Sequence, residues 1–332
     1  MKRRDFIAVT GGAAASASLW PIAALAQQSG RMRRVGVLML YAESDREGQL
    51  RAQAFREGLE ASGWKVGTNL LIDFRWGVGD LEWIKSQIAG LMKFEPEVVL
   101  ANSDQSAAAM QSASRSLPIV FIGSSDPVAE AFVQSLAHPG GNMTGFTVLE
   151  PSLGPKWIEL LKEIAPRVRH IGVLFNPANS GSMLLSRAAA GGAKKLGVEV
   201  LAVPIFTPAE IEDAAGMLAK ESDSGLILPP DPFIAGHRKL IVQLADRYRI
   251  PAIYALRSFV TEGGLISYGI SIPELFRQAA GYVDRILRGD KPEDLPVQGP
   301  TKFELLINLK TSKDLGLEVP ATMLARADEV IE

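Results

Sequence analysis

Two stretches of the chain carry the same pattern of apolar and polar positions. From Arg33 the chain reads R-R-V-G-V-L-M-L-Y-A-E-S, and from Arg169 it reads R-H-I-G-V-L-F-N-P-A-N-S. Each is a short apolar run with a glycine at its centre, opening into polar residues. An apolar run without alternation predicts a strand buried on both faces, as in a parallel sheet. The polar residues that follow predict a loop leading into a helix.

The pattern around the two runs also repeats. In the first half, 47–61 places Leu50, Ala54 and Leu59 at helical spacing and closes at Gly63. Further strands are predicted at 70–74, 98–101 and 118–122, and further helices at 80–93 and 105–115. In the second half, helices are predicted at 182–196, 208–220 and 234–248, and strands at 198–203, 225–228 and 250–254. Thr207 caps the helix that opens with Pro208. A long helix at 273–288 and a strand at 303–309 follow, and a helical segment at 320–331 closes the chain. Strands alternating with helices at this spacing join through right-handed crossovers into parallel sheets. The expected fold class is α/β, with two doubly wound parallel-sheet lobes. Turn-rich segments at 138–145, 263–269 and 291–300 are the expected crossings between lobes, and three crossings make a hinge. The lobes are expected as 33–145 plus about 270–292, and 146–268 plus about 300–332.

The first 26 residues read differently. Arg3 and Arg4 precede Phe6, no charge occurs in 6–26, and the stretch ends Ala24-Leu25-Ala26. This predicts a cleaved export signal, of the twin-arginine type or of the ordinary secretory type with a basic start. Gly11, Gly12 and Pro21 break the run too often for a membrane anchor. The chain has no cysteine, which excludes disulfides and a lipid-modified N-terminal cysteine. The remaining residues, about 300, suffice for two domains stabilised by their cores alone. The net charge of −2 provides no basic footprint for nucleic acid or anionic membrane. A periplasmic monomer is expected.

In open α/β sheets, ligands sit at the carboxyl ends of the strands, so the candidate site residues are those at strand ends. Tyr41, Glu43 and Ser44 follow the first run; Asn176, Asn179 and Ser180 follow its repeat. Asn102, Ser103 and Asp104 end the third strand, and Asp231 ends its counterpart. Ser124, Ser125 and Asp126 end the fourth, matched by Tyr254, Arg257 and Ser258. Ser, Asn and Asp at these places read equally as helix caps. Arg257 is the only basic residue among them, and its planar fork suits a ligand carboxylate. It reads equally as an inter-lobe ion pair with Asp126 or Glu262. Asp126 or Asp231 is available for a ligand ammonium. Tyr41 and Tyr254 are candidate aromatic walls, with Phe175 and Tyr268 behind them. His138, His170 and His237 lack metal-ligand spacing, and no metal or cofactor is expected. No G-x-S-x-G elbow and no glycine-rich phosphate loop occurs, so no catalytic residue is assigned.

With R-R-V-G-V-L, L-P-I-V-F, S-D-P-V, A-H-P-G-G-N-M-T-G-F and I-G-V-L-F-N-P-A-N, the chain resembles the ABC-transporter substrate-binding family, TrpX-type members included, over roughly 33–331. The resemblance implies a periplasmic-binding-protein type I fold. It also implies capture of a small molecule between lobes and delivery to an ABC permease driven by its ATPase. An amino acid or an aromatic, carboxylate-bearing compound is the expected ligand. Two other functions stay open: a ligand-sensing subunit for a membrane sensor, and an exported enzyme on the same scaffold.

Overall fold

The computed structural model describes residues 32–77, 81–177 and 179–332. The export signal expected at 1–26 and the helix start expected at Asp80 lie outside the described residues, as does Ala178. In the first half the chain runs β1 (Arg33–Met39), α1 (Arg46–Ala61), β2 (Leu70–Trp76), α2 (Leu81–Lys93), β3 (Val98–Asn102), α3 (Asp104–Ala113), β4 (Ile119–Ser124) and β5 (Met143–Thr147). The second half begins with α4 (Leu153–Ile164), β6 (His170–Phe175), α5 (Ser180–Ala193), β7 (Glu199–Pro204), α6 (Pro208–Leu218) and β8 (Ser224–Leu228). It continues with α7 (Pro232–Gly236), α8 (Arg238–Arg247), β9 (Ala252–Tyr254), α9 (Arg257–Thr261) and β10 (Ile266–Ile270). The last elements are α10 (Ile272–Leu287), β11 (Phe303–Asn308), α11 (Leu309–Asp314), α12 (Ala321–Leu324) and β12 (Glu329–Ile331).

The strands form two sheets. The first has the order β2-β1-β3-β4-β5, with every pairing parallel. The second has the order β12-β11-β10-β9-β8-β6-β7. Its β7-β6-β8-β9-β10 portion repeats the first sheet, and β11 is added antiparallel to β10. The two apolar runs are therefore the equivalent inner strands β1 and β6. Their central glycines have one packing reason. A Cβ on Gly36 would come 2.8 Å from Leu91 of α2, and one on Gly172 would come 2.5 Å from Leu218 of α6. In each sheet the absent side chain admits a leucine from a covering helix.

Each sheet is buried on both faces. Phe55 and Leu59 of α1, with Leu275, Phe276 and Val283 of α10, cover one face of the first sheet. Ile84, Ile88 and Leu91 of α2, with Met110 of α3, cover the other. The second sheet is covered by α4 and α5 on one face and by α6 and α8 on the other. The outer helices pair through small residues: a Cβ on Gly58 of α1 would lie 2.7 Å from Ala280 of α10, and one on Gly154 of α4 would lie 2.4 Å from the Ala189 amide of α5. Both α4 and α10 enter their layer directly after the chain has left the other sheet.

Those passages fix the hinge, at places a few residues beyond the turn-rich segments. The segment 138–145 runs into β5, and 263–269 into β10, because both pair with a neighbouring strand. The crossings are 148–152, 270–272 and 298–303. They lie side by side: the Thr147 amide donates to the Gln298 carbonyl (2.9 Å), and the Ser271 amide to the Lys302 carbonyl (3.0 Å). Three further expectations are corrected. The helix at 234–248 is two helices broken at His237, whose ring lies 4.4 Å from Phe233 and whose Nδ1 is 2.8 Å from the Phe233 carbonyl. The terminal segment is one short helix and a strand, since β12 completes the sheet beside β11. In α1 Ala54 and Leu59 are buried as expected, together with Gly48, Arg51, Ala52, Phe55 and Gly58, and only Leu50 departs, being half-buried.

Candidate functional site

The carboxyl ends of the two sheets face each other, and the polar loops come together in two zones. In one zone β3 and β4 of the first sheet face α5 and β8 of the second. Ser103 caps α3, its Oγ accepting from the Ser106 amide at 3.2 Å, and its φ of 139° is a conformation that L-residues rarely adopt. Such strain persists only where the surroundings hold it, often at binding sites. Asn102 is buried at the end of β3, and Ser124 is buried at the end of β4. Burial pushes the Asp104 carboxyl above its ordinary value, against the opposing influence of the Ser124 hydroxyl and the Ser125 amide. Asp126 is exposed, and its carboxylate accepts from the Ala129 amide at 3.0 Å.

Across the cleft, Asn179 caps α5, accepting from the Ser182 amide at 3.1 Å. Its Nδ2 donates to the Asp231 carboxylate at 2.9 Å. The other Asp231 oxygen caps α7 through the Ile234 amide at 3.0 Å. Asp231 is 3% exposed, and each of its oxygens already accepts one hydrogen bond from its own lobe. Asn176 is half-buried and Ser180 is exposed. The lobes touch in this zone: a Cβ on Gly181 would lie 2.5 Å from the Ser125 hydroxyl.

The second zone is related to the first by the repeat. Here the start of α1 faces the ends of β9 and β10, and the lobes leave a narrow cavity of about 50 Å³ within about 570 Å³ of space between atoms that includes open solvent. Tyr41, Asp45, Glu47 and Arg51 line it from the first lobe. Arg238, Arg257, Ser258, Ser267 and Glu304 line it from the second, with Ile270 and Ile272 of a hinge crossing. The helix cap is Asp45, whose carboxylate accepts from the Gly48 amide at 3.0 Å. Glu43 and Ser44 are exposed, do not cap the helix, and do not line the cavity.

Two expected site residues have other roles. Tyr254 is 1% exposed and stacks on Phe259 at 4.6 Å, inside the core of the second lobe. Burial drives its hydroxyl pKa upward, and the hydroxyl has no hydrogen-bond partner among the described residues. It is core rather than a binding wall, because β9 places it on the inner face of the sheet. Tyr268 likewise stacks on Phe303. Arg257 lines the cavity but is held by its own lobe, at 2.7 Å from Glu329 and 3.5 Å from Glu304. Neither Asp126 nor Glu262 is its partner; Glu262 lies 3.5 Å from Arg238 instead.

The strand-end reading missed Asp45, Glu47, Arg238, Ser267 and Glu304 of the cavity lining, and with them Arg51. It is 8% exposed, lies over the Tyr41 ring at 4.4 Å, and has a buried Nε without an acceptor among the described residues. It lies one turn past Gly48 and one turn before Phe55, on the apolar stripe of α1. An arginine at a stripe position is the sequence signal that marks it. Among the described residues, no cluster of three or more His, Cys, Asp or Glu is arranged to hold a metal, and no helix is long and apolar enough to cross a membrane.

This geometry has known relatives. The family model described as ABC transporter substrate binding protein matches residues 43–331. A tyrosine-binding protein of Clostridioides difficile (strain R20291) is 29% identical over 266 residues, covering 80% of this chain and 76% of that protein. The structure of an ABC domain in complex with L-Trp from Streptococcus pneumonia is 26% identical with a TM-score of 0.80, covering 90% of this chain and 100% of that one. A ligand-free, open substrate-binding protein with adhesive properties from Clostridium difficile is 28% identical with a TM-score of 0.73, covering 90% and 99%. Two lobes of matched strand order, a cleft at their carboxyl ends and a family match across almost all of the described residues lead to one assignment: the chain belongs to the ABC transporter substrate-binding protein family.

Proposed function

We propose that this protein is the receptor of an ABC importer and that it captures an amino-acid-type ligand, with its carboxylate, between the two lobes. The observation that carries this is the cavity beside the hinge. Both lobes line it, and the crossing residues Ile270 and Ile272 form part of its wall. A ligand held there contacts both lobes at once, so it binds the closed arrangement better than an open one and shifts the hinge equilibrium by that difference. The closed form would then be what the permease and its ATPase recognise. A tyrosine-binding relative and a neighbour solved with L-Trp support the ligand class. The leader at 1–26 supports export to the periplasm, by the twin-arginine or the ordinary secretory route. The role is binding and delivery, without turnover of the ligand.

The test is a thermal-shift and calorimetric screen of the chain from residue 27 onward against the twenty amino acids and simple aromatic acids. An aromatic amino acid is expected to bind. At 100 times its dissociation constant it should add about 2.7 kcal/mol of stability. A screen in which no amino acid moves the unfolding midpoint would overturn the ligand class.

A further inference from the structure

We infer that Arg51 is the anion anchor of the cleft, its guanidinium taking the carboxylate of the ligand; this rests on the amino-acid reading above. A guanidinium removed from water is unfavourable unless an anion or several acceptors compensate it. Three arginines line the cavity. Arg238 is paired with Glu262, and Arg257 with Glu329 and Glu304. Arg51 is the exception. No carboxylate of the described residues lies within ion-pair distance of it, Glu47 one turn earlier included, and its Nε is enclosed without an acceptor.

The surroundings of Arg51 present the fork rather than neutralise it. The Tyr41 ring covers one face at 4.4 Å. A stacked guanidinium keeps its N–H groups at the edges, in the plane where a carboxylate is met by two donors. Tyr41 is itself held in place. A Cβ on Gly48 would come 2.8 Å from the Tyr41 Cβ and 3.1 Å from the Trp76 ring, so only glycine lets the tyrosine settle on the helix. From the opposite lobe, Ser267 of β10 lines the same cavity, 1% exposed, with a hydroxyl that has no hydrogen-bond partner among the described residues. The first lobe thus brings the buried Arg51 Nε to the cavity and the second brings the Ser267 hydroxyl and the Arg238 Nε, but Arg238 already has a carboxylate at 3.5 Å, so a ligand carboxylate is met by Arg51 and Ser267.

The experiment compares wild type with Arg51→Gln and Arg51→Met. Arg56→Gln serves as control, since Arg56 stacks on Phe74 at 4.4 Å from the same helix and does not line the cavity. The probes are L-tryptophan, L-tyrosine and L-tryptophanamide, which lacks the carboxylate. Wild type should prefer L-tryptophan to its amide at least tenfold. Arg51→Gln should lose at least tenfold in amino-acid affinity and discriminate acid from amide by less than threefold, while Arg56→Gln stays within threefold of wild type. Retention of both affinity and discrimination by Arg51→Gln would overturn the inference. A second measurement needs no ligand. An arginine kept for an absent anion is a burden on the empty protein, so unliganded Arg51→Met should unfold at an equal or higher temperature. A midpoint several degrees lower would show that Arg51 is structural and overturn the inference. If wild type binds neither amino acid, the ligand reading fails by itself, and the Arg51→Met midpoint still decides the role of Arg51.

Discussion

The Ser125 hydroxyl of the first lobe lies against Gly181 of the second, so close that a Cβ on Gly181 would stand 2.5 Å from it. Gly181 is in the first turn of α5, and Ser125 directly follows β4. The contact is where the two strand-end surfaces meet on one side of the cleft, and it has room for no side chain.

Gly181→Leu should therefore wedge the lobes apart. Ligand affinity should fall at least tenfold, and the radius of gyration measured by X-ray scattering should stay large at saturating ligand. Adding Ser125→Gly should recover part of both. Full closure of Gly181→Leu would show that the contact does not limit the hinge.

Arg257→Ala should act mainly on stability. Its partners Glu329 and Glu304 belong to the last strands, so the pair ties α9 to the end of the chain. Such a half-buried pair contributes about 1 kcal/mol, roughly 2 °C in the unfolding midpoint of a protein this size. Its loss of ligand affinity should be smaller than that of Arg51→Gln. Calorimetry on the two variants gives the comparison, and a larger affinity loss for Arg257→Ala would restore it as the carboxylate contact.

Asp104 should make a signed contribution to the pH dependence of stability. Burial raises its folded-state value above the ordinary 3.8, so the folded protein holds this proton more tightly than the unfolded chain. As pH rises from 3.8 through the raised value, only the unfolded chain has released the proton, and the Asp104 contribution to stability falls; above that window it is constant. Asp104→Asn retains an acceptor for the Ser125 amide and removes the titration. Its stability relative to wild type, from denaturant unfolding, should grow across the window and then level. A difference independent of pH would contradict the assignment.

Gly172→Val should destabilise by about 1–3 kcal/mol through overpacking against Leu218, and Gly36→Val should do the same against Leu91. Leu218→Ala alone should cost about 2–5 kcal/mol. Gly172→Val combined with Leu218→Ala should cost less than the two single changes together, because one side chain fills the space the other leaves. Strict additivity in chemical denaturation would mean that the two positions do not share that space.

The doubled apolar run with its central glycine is local information, and so are the caps. Parallel strands buried on both faces read as continuous apolar runs, and Asn179, Ser103 and Thr207 cap their helices because of what they are and where they stand. Fold class, repeat and the polar strand ends were therefore open to reading along the chain. The sequence marks Asp231 as a strand-end carboxylate, but its contact with Asn179 depends on a residue 52 positions away. The same holds for the charges. Arg257 was marked by being the one cation at a strand end, yet its partners are 47 and 72 residues distant, and no local pattern says that they neutralise it. Arg51 was hidden in a helix stripe, where a long side chain reads as solvated. The two α/β halves are legible along the chain, because burial periodicity is set by neighbours in the chain. Which arginine is paired and which is left facing the cleft is legible only in three dimensions, because ion pairing depends on distances of a few ångströms between segments that folding alone brings together.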